Sequence, residues 1–200
     1  CRDIESKGAQ AISLNCDVSN PTAVQDFVEL VENRWGRVDA LINCAGPYHR
    51  VALLEETVEG WNEMFDNNLH SLFYLCRAVS TGMIERGYGR IIAFSMANAD
   101  KLSAQPNITA HYIAKSGIII LVRSLAKILA QHGITVNTIS PGFIDSGSSP
   151  KEELEHIKRR IPAGYVGQNS DAVSLVNYLL SDNAKYINGS NIQLSGGWGV

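Results

Sequence analysis

Short apolar segments alternate with longer helical patterns along this chain, and no other feature narrows its fold as much. Ala11 to Cys16, Asp39 to Cys44, Arg90 to Ser95, Ile134 to Ile139 and Asn191 to Leu194 each read as a strand. Short apolar runs of this kind suit parallel strands covered on both faces. The segments between them read as helices. Asn20 before Pro21 is a helix start, an N-cap followed by proline at the first helical position. Val24, Phe27, Val28, Val31 and Trp35 then recur on one face until Gly36 ends the run. Val58 to Arg86, His111 to His132, Lys151 to Arg160 and Asp171 to Ser181 are the other helical stretches. The pattern predicts an α/β fold, a doubly wound parallel sheet, as one domain over residues 1–200. In such sheets ligands bind at the carboxyl ends of the strands.

The composition fits that class and excludes others. Of the 200 residues, 45% are apolar and 18% charged, and the formal net charge is −3. A mildly acidic chain with no Lys/Arg run gives no electrostatic reason to expect nucleic acid or an anionic membrane as partner. The longest apolar run, Gly117 to Val122, is far short of the roughly 18 residues of a membrane span. No signal peptide is expected. The chain opens on Cys1 in what reads as a helix end, which suggests a fragment or a processed form. Cys1, Cys16, Cys44 and Cys76 form no CxxC, so no metal is expected. They read as buried free thiols in a reducing, cytoplasmic setting.

The residues able to carry chemistry stand where strands end. Asp17-Val18 follows the first strand, and that carboxylate can accept a hydrogen bond from an adenine amino group or simply cap a turn. Asn43-Cys44-Ala45-Gly46 follows the second, with small residues where backbone can approach a ligand closely. Asn67-Asn68-Leu69 interrupts a long helix, where Asn is intrinsically disfavoured. Lys115 lies in the next helix, and Pro141-Gly142-Phe143-Ile144 follows the fourth strand. Tyr186-Ile187-Asn188-Gly189 and Gly196-Gly197-Trp198 complete the set.

In this order the blocks resemble the short-chain dehydrogenase/reductase family, in tone its 3-oxoacyl-carrier-protein reductase-like members. The resemblance implies a Rossmann-like fold, NAD or NADP as cofactor, and hydride transfer between nicotinamide and a carbonyl or alcohol carbon. It places Asp17, Val18, Asn43, Ala45, Gly46, Lys115, Pro141, Gly142, Ile144 and Ser146 in cofactor binding. It implies that Asn68 bends its helix and joins a proton relay. It further implies that Lys115 binds ribose hydroxyls, that the substrate is a small-molecule carbonyl or acyl compound, and that the protein is a homodimer or homotetramer.

Three departures stand beside the resemblance. The family's catalytic Tyr, four residues before the Lys, is His111 here, and Tyr112 stands at three. His111 as proton donor, Tyr112 as proton donor, and an impaired site are all open at this point. Where the catalytic Ser is usual, the chain reads Ser95-Met96, and Ser95, at the strand end, is the candidate. Finally, no GxxxGxG occurs, so the first βαβ unit with its phosphate-binding turn is missing from this sequence. The absent strands belong between Ala11 to Cys16 and Asp39 to Cys44. The expectation is that Ala11 to Cys16 pairs with its new neighbour or another subunit, or that the natural protein is longer. The competing functions are an active reductase, a fold-only member with a structural or ligand-binding role, and a truncated product.

Overall fold

The computed structural model describes residues 1–145, 147 and 151–199. Four strands form one sheet: β1 (Ala40–Asn43), β2 (Gly89–Phe94), β3 (Ile134–Pro141) and β6 (Asn191–Leu194), in the order β1-β2-β3-β6. All are parallel, with Ile91 level with Leu41 on one side and Val136 on the other. A two-residue ladder joins β4 (Ile144–Asp145) to β5 (Gly167–Gln168).

The sheet is covered on both faces, and β2 shows how. Successive side chains on a strand point to opposite faces. Ile91 and Ala93 pack with Val28, Leu72, Met83 and Val122, from α2 (Pro21–Trp35), α4 (Ser71–Arg86) and α5 (Thr109–Leu129). Ile92 between them packs on the other side with Ile139 and with Leu179 of α7 (Asn169–Leu180). This is the doubly wound parallel arrangement the alternation predicted. The helix start at Asn20 also forms, its side chain accepting from the Thr22 and Ala23 amides, and Gly36 ends α2 in the left-handed conformation.

Two expectations are corrected. Ala11 to Cys16 forms no strand: none of its backbone takes part in a ladder, and Ser13, Leu14 and Asn15 are exposed. It pairs neither with β1 nor with any other described strand. An apolar run becomes a strand only when a neighbour accepts its backbone bonds, and here none does. The four cysteines are free, but only Cys76 is buried, where desolvation pushes its thiol up to about 12; Cys1 and Cys44 are exposed and Cys16 lies between.

The long helix from Val58 is not continuous. It runs as α3 (Val58–Phe65), widens into a π turn over Asp66–His70 and resumes as α4. The remaining helices are α1 (Arg2–Glu5) and α6 (Lys151–Lys158).

Candidate active site

The carboxyl ends of β1, β2 and β3 lie along one edge of the sheet, because the strands are parallel and in close register. Asn43 ends β1, Ser95 follows β2, and Pro141 ends β3. Asn43 is buried and its side chain accepts from the Ala45 amide, turning the chain over the edge. Gly46 has φ +147°, and a Cβ on it would overlap the Asn68 side-chain oxygen. Only glycine allows that approach.

Asn68 is fully buried at the centre of the π turn. Its amide nitrogen donates to the Met64 carbonyl at 2.9 Å and to the Pro47 carbonyl at 3.1 Å. By competing for the carbonyl one turn back, the side chain loosens the helical ladder where the π turn forms. Its oxygen has no partner among the described residues. A buried amide oxygen left open inside a site is a place for water or ligand.

Lys115 projects from α5 to the end of β2, where its Nζ donates to the Phe94 carbonyl at 3.0 Å. It is buried, and no carboxylate pairs with it among the described residues. Burial lowers its ammonium pKa to about 8, with the nearby Cys44 thiol acting in the opposite direction.

One helical turn earlier, His111 is buried, with the Tyr48 ring set edge-on against it at 5.1 Å. Its Nδ1 has no partner among the described residues. Desolvation first and the Lys115 charge second lower its pKa to about 4, against a raising contribution from the Pro47 backbone. His111 is therefore neutral at physiological pH, able to donate from one ring nitrogen and accept at the other.

Tyr112 does not converge on this point. Its hydroxyl donates to the Asn98 carbonyl at 2.5 Å and accepts from the Ser103 amide at 3.2 Å. It braces the loop after β2, which is also held by Ala97 N–H to Pro141 and by the Ser116 hydroxyl to Ala99. Ser95 is likewise engaged: its hydroxyl donates to the Lys115 carbonyl at 2.7 Å. That bond fixes α5 to the strand end and commits the proton a substrate oxygen would need.

The remaining candidates divide. Gly142 N–H donates to the Leu194 carbonyl, and a Cβ at Gly142 would crowd Ser195 at 2.9 Å, so strand end and C-terminal turn meet closely here. Ile144 follows in the β4 ladder. Ser146 lies outside the described residues. Asp17 and Val18 stand apart, in a turn before α2 and on no strand; the Asp17 carboxylate is exposed, accepts from the Ser19 amide and hydroxyl, and is lowered in pKa by those bonds. Four residues at the mouth went unnoticed in the sequence: Pro47, Tyr48, His49 and Glu56. His49 and Glu56 meet at 2.7 Å across a 3₁₀ turn at Leu53–Glu55, a pairing with no periodic signature.

A parallel doubly wound sheet with an Asn-bent helix and a buried lysine at its carboxyl edge defines a dinucleotide-type oxidoreductase fold. The comparisons agree: the model of a family described as enoyl-(acyl carrier protein) reductase matches residues 1–199. The chain belongs to the short-chain dehydrogenase/reductase family, whose members are NAD(P)-dependent oxidoreductases. It is 34% identical to the 3-oxoacyl-(acyl-carrier-protein) reductase FabG of Escherichia coli (strain K12), over 95% of this chain and 82% of that one. It is 31% identical to the FabG reductase of Staphylococcus aureus (strain Mu50), over 98% of this chain and 80% of the other. A crystal structure from Agrobacterium tumefaciens, provisionally named a gluconate dehydrogenase, superposes with a TM-score of 0.89 at 28% identity, covering 98% of this chain and 79% of its own.

Proposed function

We propose that this chain reduces a carbonyl in an acyl-type substrate, with Lys115, His111 and Asn68 at the reacting centre. The observation that carries the reading is Lys115, a buried cation without a carboxylate partner among the described residues, one helical turn from a neutral imidazole. The acyl preference rests on the reductases to which the chain is similar.

The nicotinamide end of a dinucleotide fits the residues present. The Asn68 oxygen and His111 Nδ1 are buried polar atoms open to a partner, and Gly46 leaves backbone accessible beside them. When bound, the cofactor supplies the hydride. Lys115 would donate to its ribose hydroxyls, and the backbone at Ile144 would meet its amide. Asn43 and Gly46 shape the floor, Ala45 keeps it low, and Pro141-Gly142 fixes the wall. His111 is the group poised to hand a proton to the carbonyl oxygen. Tyr112 serves the loop instead, and Ser95 serves the helix. A fold-only role gives no account of a buried lysine that meets no carboxylate among the described residues.

An exposed apolar groove of about 620 Å³ runs between α4 and α5, lined by Leu69, Phe73, Gly117, Ile120 and Leu121. Its apolar lining is in keeping with a homodimer or homotetramer joined through these helices. A cytoplasmic location accords with these reductases, and no described helix is long and apolar enough to cross a membrane. The test of function is oxidation of NADH or NADPH in the presence of an acetoacetyl thioester. Oxidation that depends on both Lys115 and the carbonyl supports the reading, and its absence with either cofactor defeats it. Sedimentation as a monomer at micromolar concentration defeats the oligomer.

A further inference from the structure

Lys115 is held differently from an ion-paired lysine. Its side chain is buried, and its Nζ meets the Phe94 carbonyl at 3.0 Å and no carboxylate among the described residues. A carboxylate would keep the nitrogen as an ammonium, whereas a carbonyl takes one N–H and leaves the electron pair of the neutral amine free. Burial favours that neutral form and lowers the pKa to about 8. The Ser95 and Tyr112 hydroxyls do not compete for the nitrogen, being bonded to the Lys115 and Asn98 carbonyls.

An apolar groove of about 470 Å³ lies between the β1–β2 part of the sheet and α7. Ile42, Cys44, Phe94, Val173 and Val176 line it, and no charged residue does. Ile42 and Val173 are exposed there. Asn43 is level with Ala93, so Cys44 and Phe94 stand side by side at the carboxyl edge of the sheet. Phe94 therefore belongs both to the groove and to the Lys115 contact. The amine comes from the α5 face and the groove lies on the α7 face, and the two meet at this edge. We propose that Lys115 condenses reversibly with the carbonyl of a ketone or aldehyde bearing an apolar chain, to form an iminium, with the chain in the groove between β1 and α7. This activity needs no nucleotide and does not rest on the reductase reading.

A desolvated lysine in apolar surroundings is the form of the side chain that makes such adducts. The step balances without an oxidant or a reductant. The Nζ electron pair forms a bond to the carbonyl carbon, and the π pair of the broken C=O bond moves to oxygen. One amine proton passes to that oxygen, giving a carbinolamine. The remaining nitrogen pair then forms the second bond to carbon. The hydroxyl leaves as water, with one proton taken up from solvent, and the iminium holds the other amine proton. Addition of water reverses the sequence and returns the free lysine. The groove supplies no charge to hold a carboxylate or a phosphate, so the chain it takes is uncharged and apolar.

Reductive trapping tests this. The full chain, without nucleotide, is incubated at neutral pH with methyl pentyl ketone and sodium cyanoborohydride, which reduces an iminium to a stable secondary amine. Peptide mass mapping then locates the adduct. Lys115 should be alkylated at least about tenfold faster than Lys7 or Lys127, which are exposed and hold far less neutral amine at this pH. Alkylation at Lys115 no faster than at those two, or none at Lys115, overturns the proposal. The comparison is made within the wild-type chain, so it does not depend on a lysine variant that folds. Acetone in place of methyl pentyl ketone lacks four methylenes, and trapping at Lys115 should be at least about tenfold slower at equal concentration. Val173→Asn, on the α7 wall of the groove, should narrow that preference at least about threefold and leave the rate with acetone within about twofold. Equal trapping of the two ketones by the wild-type chain, or a preference that Val173→Asn leaves intact, overturns the assignment of the groove. A chain that fails to oxidise NADH or NADPH would count against the reductase reading alone, because no nucleotide enters this experiment.

Discussion

β2 and the segment Ala11 to Cys16 are both short apolar runs, yet one is the centre of the sheet and the other is not a strand. β2 has a parallel neighbour on each side and a helical layer on each face, so all its residues but the last are buried. Ala11 to Cys16 has no ladder neighbour, and Leu14 stands 42% exposed. Sequence sets a strand's appetite for burial, while the backbone bonds that make it a strand come from elsewhere in the chain. The same division runs through the candidate site. The edge built on β1, β2 and β3 carries Asn43, Asn68, His111 and Lys115 in packed positions, whereas Asp17 hangs from the unpaired segment and bonds only its own turn.

The largest difference between the two halves should appear in turnover. Lys115→Ala should lower kcat/KM for NAD(P)H-dependent carbonyl reduction at least about 100-fold, in the range of a lost catalytic group. Asp17→Ala in the same chain should change it less than about threefold, because its carboxylate is exposed and satisfied by Ser19. Steady-state kinetics on both variants check this, and equal losses would mean that the two halves act as one site.

Stability should divide along the same line. Ile91→Ala removes a fully buried side chain from β2 and should cost about 2–5 kcal/mol. Leu14→Ala should fall within about 0.5 kcal/mol, as for surface positions. Urea unfolding of both variants measures the contrast. A cost at Leu14 near that at Ile91 would show that the segment packs against something in solution.

Lys115 gives a prediction in which function and stability oppose each other. Its pKa falls from the ordinary 10.5 to about 8 in the fold. Between those values the unfolded chain holds more protons, so stability rises with pH from about 8 to about 10.5, and below about 8 the cost of the buried charge is fully present. Lys115→Met should therefore stabilise the fold at neutral pH by on the order of 2–3 kcal/mol, a gain that fades toward pH 10.5. His111 acts with the same sign in acid: lowered from 6.5 to about 4, it leaves stability intact above about 6.5 and erodes it as pH falls toward 4. Thermal unfolding across pH on wild type, Lys115→Met and His111→Phe resolves both. A Lys115→Met variant less stable than wild type at neutral pH would show that the buried charge has a partner.

Much of this was legible before the structure. The alternation of apolar and amphipathic runs was enough for a parallel sheet covered on both faces, and the Asn20-Pro21 start and Gly36 stop form where they were expected because capping is local. Asn68 was conspicuous as a polar residue inside a helix, and the π turn is its structural consequence. Ala11 to Cys16 misled because periodicity carries no information about pairing. Ser95 ends its strand as read, but position at a strand end does not fix where a hydroxyl points, and its bond to the Lys115 carbonyl spans twenty residues. His49 and Glu56 were hidden for a similar reason. Their contact depends on a 3₁₀ turn and on loop bonds to Pro106 and Asn107, none of which leaves a repeating pattern.

Tyr112 offers the smallest effect and the sharpest separation of neighbouring side chains. By sequence it was an alternative to His111 as proton donor, three residues from Lys115 rather than four. In the fold its hydroxyl is spent on the Asn98 carbonyl and the Ser103 amide, in a loop where Asn98 and Leu102 both take positive φ. Such a loop is costly to hold without an anchor. Tyr112→Phe keeps the ring and removes only that anchor, so it should destabilise the fold by about 1–2 kcal/mol, the net worth of two intramolecular hydrogen bonds. Turnover should change less than about threefold, since no proton at the reacting centre passes through it. His111→Phe should do the reverse, lowering kcat about 100-fold, in the range of a lost acid–base group, with little loss of stability at neutral pH. A Tyr112→Phe variant that folds as well as wild type and has lost its kcat would return the proton to the phenol and remove it from the imidazole.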